Sequence, residues 1–461
     1  MDLTSDAFDE AVEPGGTPRS RYGELLGALA RLDVASLREA LAEEATAAGA
    51  TFGTDGEDEH FRLDPVPRLI EWEEWAPLGA GLAQRAMALD RFIADVYGER
   101  EIVAAGVVPA RAVETCDHHE PRVAQLPPAP VRVAVAGLDV VRGPDGRFRV
   151  LEDNVRTPSG FAYVLAAREL LDRHLPPWLA DGRVSFAPAI DLLARSLRAA
   201  APDDVDDPSI AVLTDGRGNS AWYEHDRVAR MLEIPLVELD DLSVRRGRLM
   251  ARNGNTHVPV DVVYRRTDED RLTNADGELT DVGAALIEPL SNGTLSCVNA
   301  FGAGIADDKL IHAYVEDMVR FYLGEEPLLP SVPTYDPCDE DRREEILDRI
   351  DELVVKPRSG FGGRGVVVGP HAEPGDVRSA ARALAERPED FVAQELVMLS
   401  THPTSVDDRL EPRHVDLRPF AFGGDRFEAA PGGVTRVALD RGALVVNASQ
   451  RGGAKDTWVM A

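Results

Sequence analysis

The stretch Val354-Val355-Lys356-Pro357-Arg358-Ser359-Gly360-Phe361-Gly362-Gly363-Arg364-Gly365-Val366-Val367-Val368 decides the fold of this chain. Its glycines let backbone N–H groups approach an anion closely, and Lys356 supplies a compact charge suited to phosphate. Gly360, Gly362 and Gly365 satisfy the G-x-G-x-x-G spacing, but in a dinucleotide-binding fold such a loop must open a helix. Here it runs into Val366, Val367 and Val368, residues of strand type. The loop therefore joins two strands, and the dinucleotide reading fails on context.

A kinase-type reading fails as well. Gly360 to Val367 fits that glycine loop, and His414-Val415-Asp416-Leu417-Arg418-Pro419 looks like a catalytic loop. However, the lysine precedes the loop, position 421 is alanine where a metal-binding asparagine is required, and no Asp-Phe-Gly is present. Around the loop, Asp307-Asp308-Lys309 predicts an Asp N-cap and a long helix to about Leu323. Gln394-Glu395-Leu396 closes a strand over 391–396. Further strands are expected at 353–356, 366–368, 414–422, 434–439 and 443–446, with a solvated helix in the acidic stretch 336–352.

A second chemistry-bearing segment lies far upstream. Val131, Val133 and Val135 alternate, Leu138-Asp139-Val140-Val141 continues the strand, and Gly143-Pro144-Asp145-Gly146 signals a turn into Arg147-Phe148-Arg149-Val150-Leu151-Glu152. On the returning strand Glu152 and Asn154 are two apart and share a face, whereas Asp153 points the other way. With Asp139 on the paired strand, they are hard oxygen donors of the kind Mg²⁺ prefers. A loop from Asn154 to Gly160 and an Ala/Leu-rich helix follow. Between 205 and 300, strands at 210–213, 236–239 and 260–264 alternate with a helix over 222–231, which predicts a parallel α/β layer. Residues 1–20 read as a loose polar tail, and 22–101 read as helical, including a helix over 82–98.

Composition bounds the partners. Fifty basic residues stand against 81 acidic ones, a net charge of −31, which argues against nucleic acid and anionic membrane surfaces. Only Lys309, Lys356 and Lys455 among the fifty are lysine. Cys116, Cys297 and Cys338 are too few and too scattered for a disulfide framework, and a reducing cytoplasm is expected. There is no apolar run of membrane-spanning length. Cys116-Asp117-His118-His119 imitates a metal cluster, but a surface loop is the expectation.

The order strand–Lys–glycine loop–strand, with Asp308-Lys309 before it and Gln394-Glu395-Leu396 after it, resembles the nucleotide half of ATP-grasp ligases. Asp139 followed by Glu152-x-Asn154 and a Pro158-x-Gly160 loop resembles the terminal metal hairpin of glutathione synthetases. Because that hairpin comes first, the chain resembles a circularly permuted ATP-grasp protein of type 2, similar to glutathione synthetase and glutathionylspermidine synthase-like ligases. The phrases Asp64-Pro65-x-Pro67-Arg68, Asp95-Val96-Tyr97-Gly98 and Ser449-Gln450-x-Gly452-Gly453-x-Lys455-Asp456-Thr457-Trp458 resemble the same group. The resemblance implies a mixed α/β (α+β) ATP-grasp fold. Its divisions are a tail and helical region (1–130), the metal hairpin and helices (131–204), an α/β pre-ATP-grasp domain (205–300) and nucleotide-binding lobes (301–461).

It also implies roles. Lys309, Lys356, Gly360, Gly362, Gly363, Arg364 and Gly365 face the ATP phosphates, while Gln394, Glu395 and Leu396 border adenine and ribose. Asp139, Glu152 and Asn154 hold Mg²⁺, as two ions. Arg418 and Arg436 touch phosphate or acyl phosphate. Arg156, Ser159, Asn447, Gly452 and Gly453 belong to the substrate side. Lys455 is a further active-site candidate, because arginine does not replace a compact ammonium where space is tight. The implied reaction joins a small-molecule or peptide carboxylate to an amine through an acyl phosphate. A kinase-like phosphotransferase and an ATP-binding partner without turnover are the alternatives.

Overall fold

A computed structural model describes residues 7–54, 57–360, 365–440, 442–443 and 452–461. Gly362, Gly363, Arg364, Asn447 and most of the strand expected over 443–446 lie outside them. The largest layer is an eight-stranded sheet. Its order is Arg68–Glu71, Gly453–Met460, Glu428–Val437, Arg409–Phe422, Asp139–Arg142 and Phe148–Glu152, with Thr401–Val406 and Val135–Gly137 also pairing with Arg409–Phe422. The pairing is antiparallel except between Gly453–Met460 and Arg68–Glu71. Leu417 lies opposite Val140, so the early hairpin docks on a strand almost 280 residues later, and this is the permutation in three dimensions.

The hairpin forms as its turn signal predicts, with strands Asp139–Arg142 and Phe148–Glu152. A register shift between Asp139 and Val140 brings Asp139 opposite Glu152. The long helix Trp72–Val96 packs its apolar side (Leu78, Leu82, Leu89, Phe92) into the main core against Val140, Val150 and Leu417 of this sheet. A second, antiparallel sheet carries the glycine loop, in the order Thr334–Tyr335, Phe391–Glu395, Leu353–Pro357 and Val367–Val368. A parallel sheet, ordered Ser296–Val298, Val262–Arg266, Ile210–Thr214 and Leu236–Val237, forms the predicted α/β layer, with helices Trp222–Leu232 and Asp281–Ser291. No helix among the described residues is long and apolar enough to cross a membrane.

Three expectations are corrected, and one element was not expected. The tail is tied down from Asp9: Glu10 is buried and forms an ion pair with Arg68 at 2.5 Å, because a buried charge is costly without a partner. The region 22–101 is not wholly helical, since Arg68–Glu71 joins the large sheet. The helix after Asp308 is broken, into Lys309–His312 and Val315–Leu323, although Asp308 caps it by accepting from Leu310 N at 2.8 Å. The element not expected is a strand, Gly453–Met460, buried along its whole length.

Candidate active site

Asp139 sits between two arginines from neighbouring strands. Arg418 binds it in the bidentate manner, Nε to Oδ1 at 2.6 Å and Nη2 to Oδ2 at 2.9 Å, and Arg436 Nη2 reaches Oδ2 at 2.9 Å. Burial alone would raise its pKa, but the two guanidinium groups hold it down at about 2. Arg436 also pairs with Asp416, directly opposite on the adjacent strand. Three contacts occupy most of the roughly four lone-pair positions of the Asp139 carboxylate, leaving about one for a further ligand.

Glu152 is the open member of the set. Its side chain keeps about a third of its exposure, and Lys356 Nζ stands 3.4 Å from Oε1. Among the described residues Asn154 Nδ2 is buried with no hydrogen-bond partner, a costly state for an amide donor unless an acceptor such as a phosphate oxygen completes it, which leaves Oδ1 as the atom a metal would take. Asp153 faces the opposite side, where Arg85 (2.6 and 2.8 Å) and His312 Nδ1 (2.6 Å) take its carboxylate. The hard oxygens of Glu152, Asn154 and Asp139 are therefore a donor set that fits Mg²⁺. Among the described residues no group of three or more His, Cys, Asp or Glu gathers as a metal site.

Three consecutive residues couple the halves of the site. Asp307 accepts from Val155 N at 2.6 Å and Arg156 N at 3.1 Å, holding the loop that leaves the metal hairpin. Burial, opposed by Arg156, pushes its pKa up to about 7. Asp308 accepts from Arg358 Nε at 2.8 Å through both carboxylate oxygens, tying the end of the Lys356 strand to the helix start. Lys309 donates to the Gly360 carbonyl at 2.7 Å. Its pKa is lowered, first by burial and then by Lys356, with Glu152 opposing, so both lysines and Glu152 act on one another. Asp307 and Arg358 were not singled out by sequence reasoning, and only their adjacency to the motif residues could have flagged them.

Lys356 opposes Val392, while Leu353 opposes Glu395. Glu395 thus lies three residues, about 10 Å, along the sheet from the lysine, and this odd offset turns its side chain to the opposite face, whereas Gln394 shares the lysine's face. Glu395 accepts from Tyr335 Oη (2.7 Å) and Arg349 Nη2 (2.9 Å), and buried Gln394 donates to Thr334 Oγ1 at 2.8 Å; Leu396 follows at the strand end. Gly360 and Gly365 have φ of 105° and 73°, a region closed to most side chains.

Arg156 pairs with Asp270 at 3.2 Å and is 3.9 Å from Asp307. Arg418 Nη1 approaches the Ser159 carbonyl at only 3.5 Å, and Gly453 opens the strand that pairs with Val437. Lys455 is not brought to this cluster. It opposes Thr435, whereas Ala454 opposes Arg436, so its side chain leaves by the other face of the sheet. There it is completely buried, ion-paired with Asp64 and donating to the Pro403 carbonyl at 3.0 Å. The His118 loop also departs from expectation. Cys116 is buried, and a Cβ on Gly304 would meet His118 Cβ at 3.0 Å and Arg156 Cδ at 3.1 Å, so the loop turns inward against the substrate-side arginine.

Residues 67–438 match the model of the circularly permuted ATP-grasp type 2 family. The chain belongs to that family. Membership places it among ATP-dependent ligases. It is 42% identical to an uncharacterized protein of Mycobacterium leprae over all of this chain and 83% of the relative. A Synechocystis protein is 39% identical over 98% of this chain and 97% of its own. A Frankia casuarinae protein named as a putative glutamate–cysteine ligase is 42% identical over 98% of this chain, which spans only 53% of that relative. The fold is similar to that of a glutathione synthetase-like effector from Globodera pallida, with a TM-score of 0.56 at 11% identity, covering 97% of this chain and all of the other.

Proposed function

We propose that the chain joins a carboxylate to an amine at the expense of ATP. The carboxylate oxygen attacks the γ-phosphorus, the β–γ P–O bond breaks, and ADP leaves. The amine nitrogen then attacks the acyl carbon, the C–O bond to phosphate breaks, and the nitrogen releases a proton as the amide forms. The observation that carries this reading is the meeting of Lys356 and Glu152 at 3.4 Å across 204 residues of sequence, beside Lys309 and the pair Arg418 and Arg436.

Bound Mg²⁺, two ions held through Glu152, Asn154 and Asp139, would neutralise charge on the terminal phosphates. Lys309, Lys356 and the backbone amides of 360–365 take the remaining phosphate charge. Arg418 and Arg436, aligned by Asp139 and Asp416, face the oxygens that become negative as the acyl carbon turns tetrahedral. No protein nucleophile is needed, and catalysis is positioning plus charge compensation. The substrates are small molecules or peptides in a cytoplasmic setting. The Frankia relatives extend well beyond the match, so their name supports C–N bond formation without lending its substrates.

The test is ADP release over paired carboxylate and amine libraries. Release that needs both partners supports ligation, and release with a carboxylate or hydroxyl compound alone indicates a phosphotransferase. ATP binding without turnover refutes an enzyme. If Glu152→Gln or Asn154→Ala leaves Mg-dependent turnover intact, the metal assignment is wrong.

A further inference from the structure

Arg265 is the one buried guanidinium whose charge the described structure leaves so poorly answered. It is 1% exposed, it makes no ion pair among the described residues, and its Nε and Nη1 have no hydrogen-bond partner. Its single polar contact among the described residues is a long one, Nη2 to the Asn299 carbonyl at 3.4 Å, while the Phe301 ring covers it at 4.8 Å. The neighbouring Arg266 shows the contrast, since it pairs with Glu224 at 3.0 Å and donates to the Pro158 carbonyl at 2.8 Å. A buried cation without an anion is expensive, and an anionic ligand that supplied the missing charge would recover that cost.

Its position says which ligand. In the order Ser296–Val298, Val262–Arg266, Ile210–Thr214, Leu236–Val237, the chain runs outward in opposite directions from the two central strands, and ligands of parallel sheets bind at the carboxyl ends where that reversal occurs. Arg265 lies at the carboxyl end of Val262–Arg266. Arg156 and Asp270 are near enough to act on its charge, but Asp270 is already taken by Arg156 at 3.2 Å. Arg156 follows Asn154 by two residues, so about 7 Å of chain separates the metal-binding face from this corner. The ATP phosphates have their own cations in Lys309 and Lys356. A planar fork with two free N–H faces suits a carboxylate.

We propose that Arg265 binds a second, non-reacting carboxylate of the acid substrate, so that the enzyme takes a dicarboxylic or amino-dicarboxylic acid. This rests on the ligase reading, because it assigns the reacting carboxylate to the Arg418 and Arg436 side. The first experiment needs no turnover. Thermal midpoints of wild type, Arg265→Met and Arg265→Lys are measured alone and with succinate, L-glutamate, their monoamides succinamate and L-glutamine, or inorganic phosphate. The expected result is that Arg265→Met unfolds no earlier than wild type, because an unanswered charge has been removed. Succinate or L-glutamate should raise the wild-type midpoint more than the monoamides do, and Arg265→Met should lose that difference.

The second experiment measures ADP release with Mg-ATP over the same pairs and amines. Wild type should favour the diacid by about 30-fold or more in kcat/KM, Arg265→Met should abolish the preference, and Arg265→Lys should keep part of it. A midpoint several degrees lower for Arg265→Met would make the arginine a structural ion and overturn the proposal. So would protection by phosphate alone, no protection, or a diacid preference that survives the substitution. Arg265-dependent protection without any ADP release would instead support the subsite while the ligase reading fails.

Discussion

Arg358 and Asp308 hold together the two lysine-bearing segments, and their removal measures how far nucleotide binding depends on that joint. Both side chains are buried, at 6% and 5% exposure, and Arg358 Nε stands 2.8 Å from each Asp308 oxygen. Arg358 also donates to Thr115 Oγ1 at 2.6 Å and to the Ala112 carbonyl. Arg358→Met strands a buried carboxylate, which costs about 3–5 kcal/mol locally. Asp308→Asn removes the charge but keeps a good N-cap for Leu310, so it isolates the ionic part. The strain falls on Lys309, next in sequence, and on Lys356, two residues before the arginine. If half of it is relieved by opening that joint, ATP affinity falls by roughly 10- to 100-fold. Competition with a fluorescent ATP analogue would measure this, and amide exchange at 310–312 would report the opening. The double variant should recover part of the loss, with a coupling of about 2 kcal/mol or more. Simple additivity within about 0.5 kcal/mol, or an Arg358→Met protein that binds ATP as wild type does, would refute the reasoning.

Lys356→Met should weaken nucleotide binding in the same competition assay, and unchanged affinity would remove that lysine from the site. Lys455→Met should behave oppositely: it leaves Asp64 buried and unpaired, so the thermal midpoint drops by several degrees while ATP affinity of the folded protein is retained. Asp307 has a folded pKa of about 7 against a usual value of 3.8, so the folded chain holds a proton that the unfolded chain gives up between these values. That contribution is full below pH 4 and is lost as pH rises towards and through 7, at up to about 1.4 kcal/mol per pH unit. Asp307→Asn should flatten the stability profile between pH 4 and 7 in urea titrations.

What was legible in the sequence was whatever depends on near neighbours. The Gly143 to Gly146 turn, the turning of Asp153 away from Glu152 and the strands on either side of the glycine loop are all local patterns, and the structure has each of them. The strand Gly453–Met460 was not expected, because Lys455, Asp456 and Thr457 break the apolar pattern of a buried strand. They are buried because distant residues complete them: Lys455 by Asp64, and Asp456 by Arg168 at 2.7 Å, while Thr457 Oγ1 meets Thr435 Oγ1 at 2.8 Å. This also explains why the scarcity of lysine misled at position 455. A compact ammonium was needed there, but by a buried carboxylate and two carbonyls and not by phosphate. Two phrases that marked the family, Asp64-Pro65-x-Pro67-Arg68 and the one ending in Trp458, are joined by that ion pair, and Arg68 ties the first to Glu10. They hold the sheet together, while the arginines that answer Asp139 come from its middle strands. Family recognition and substrate recognition thus rest on different residues, and the second must be sought where charge is left unanswered, at Arg265 and around Glu152.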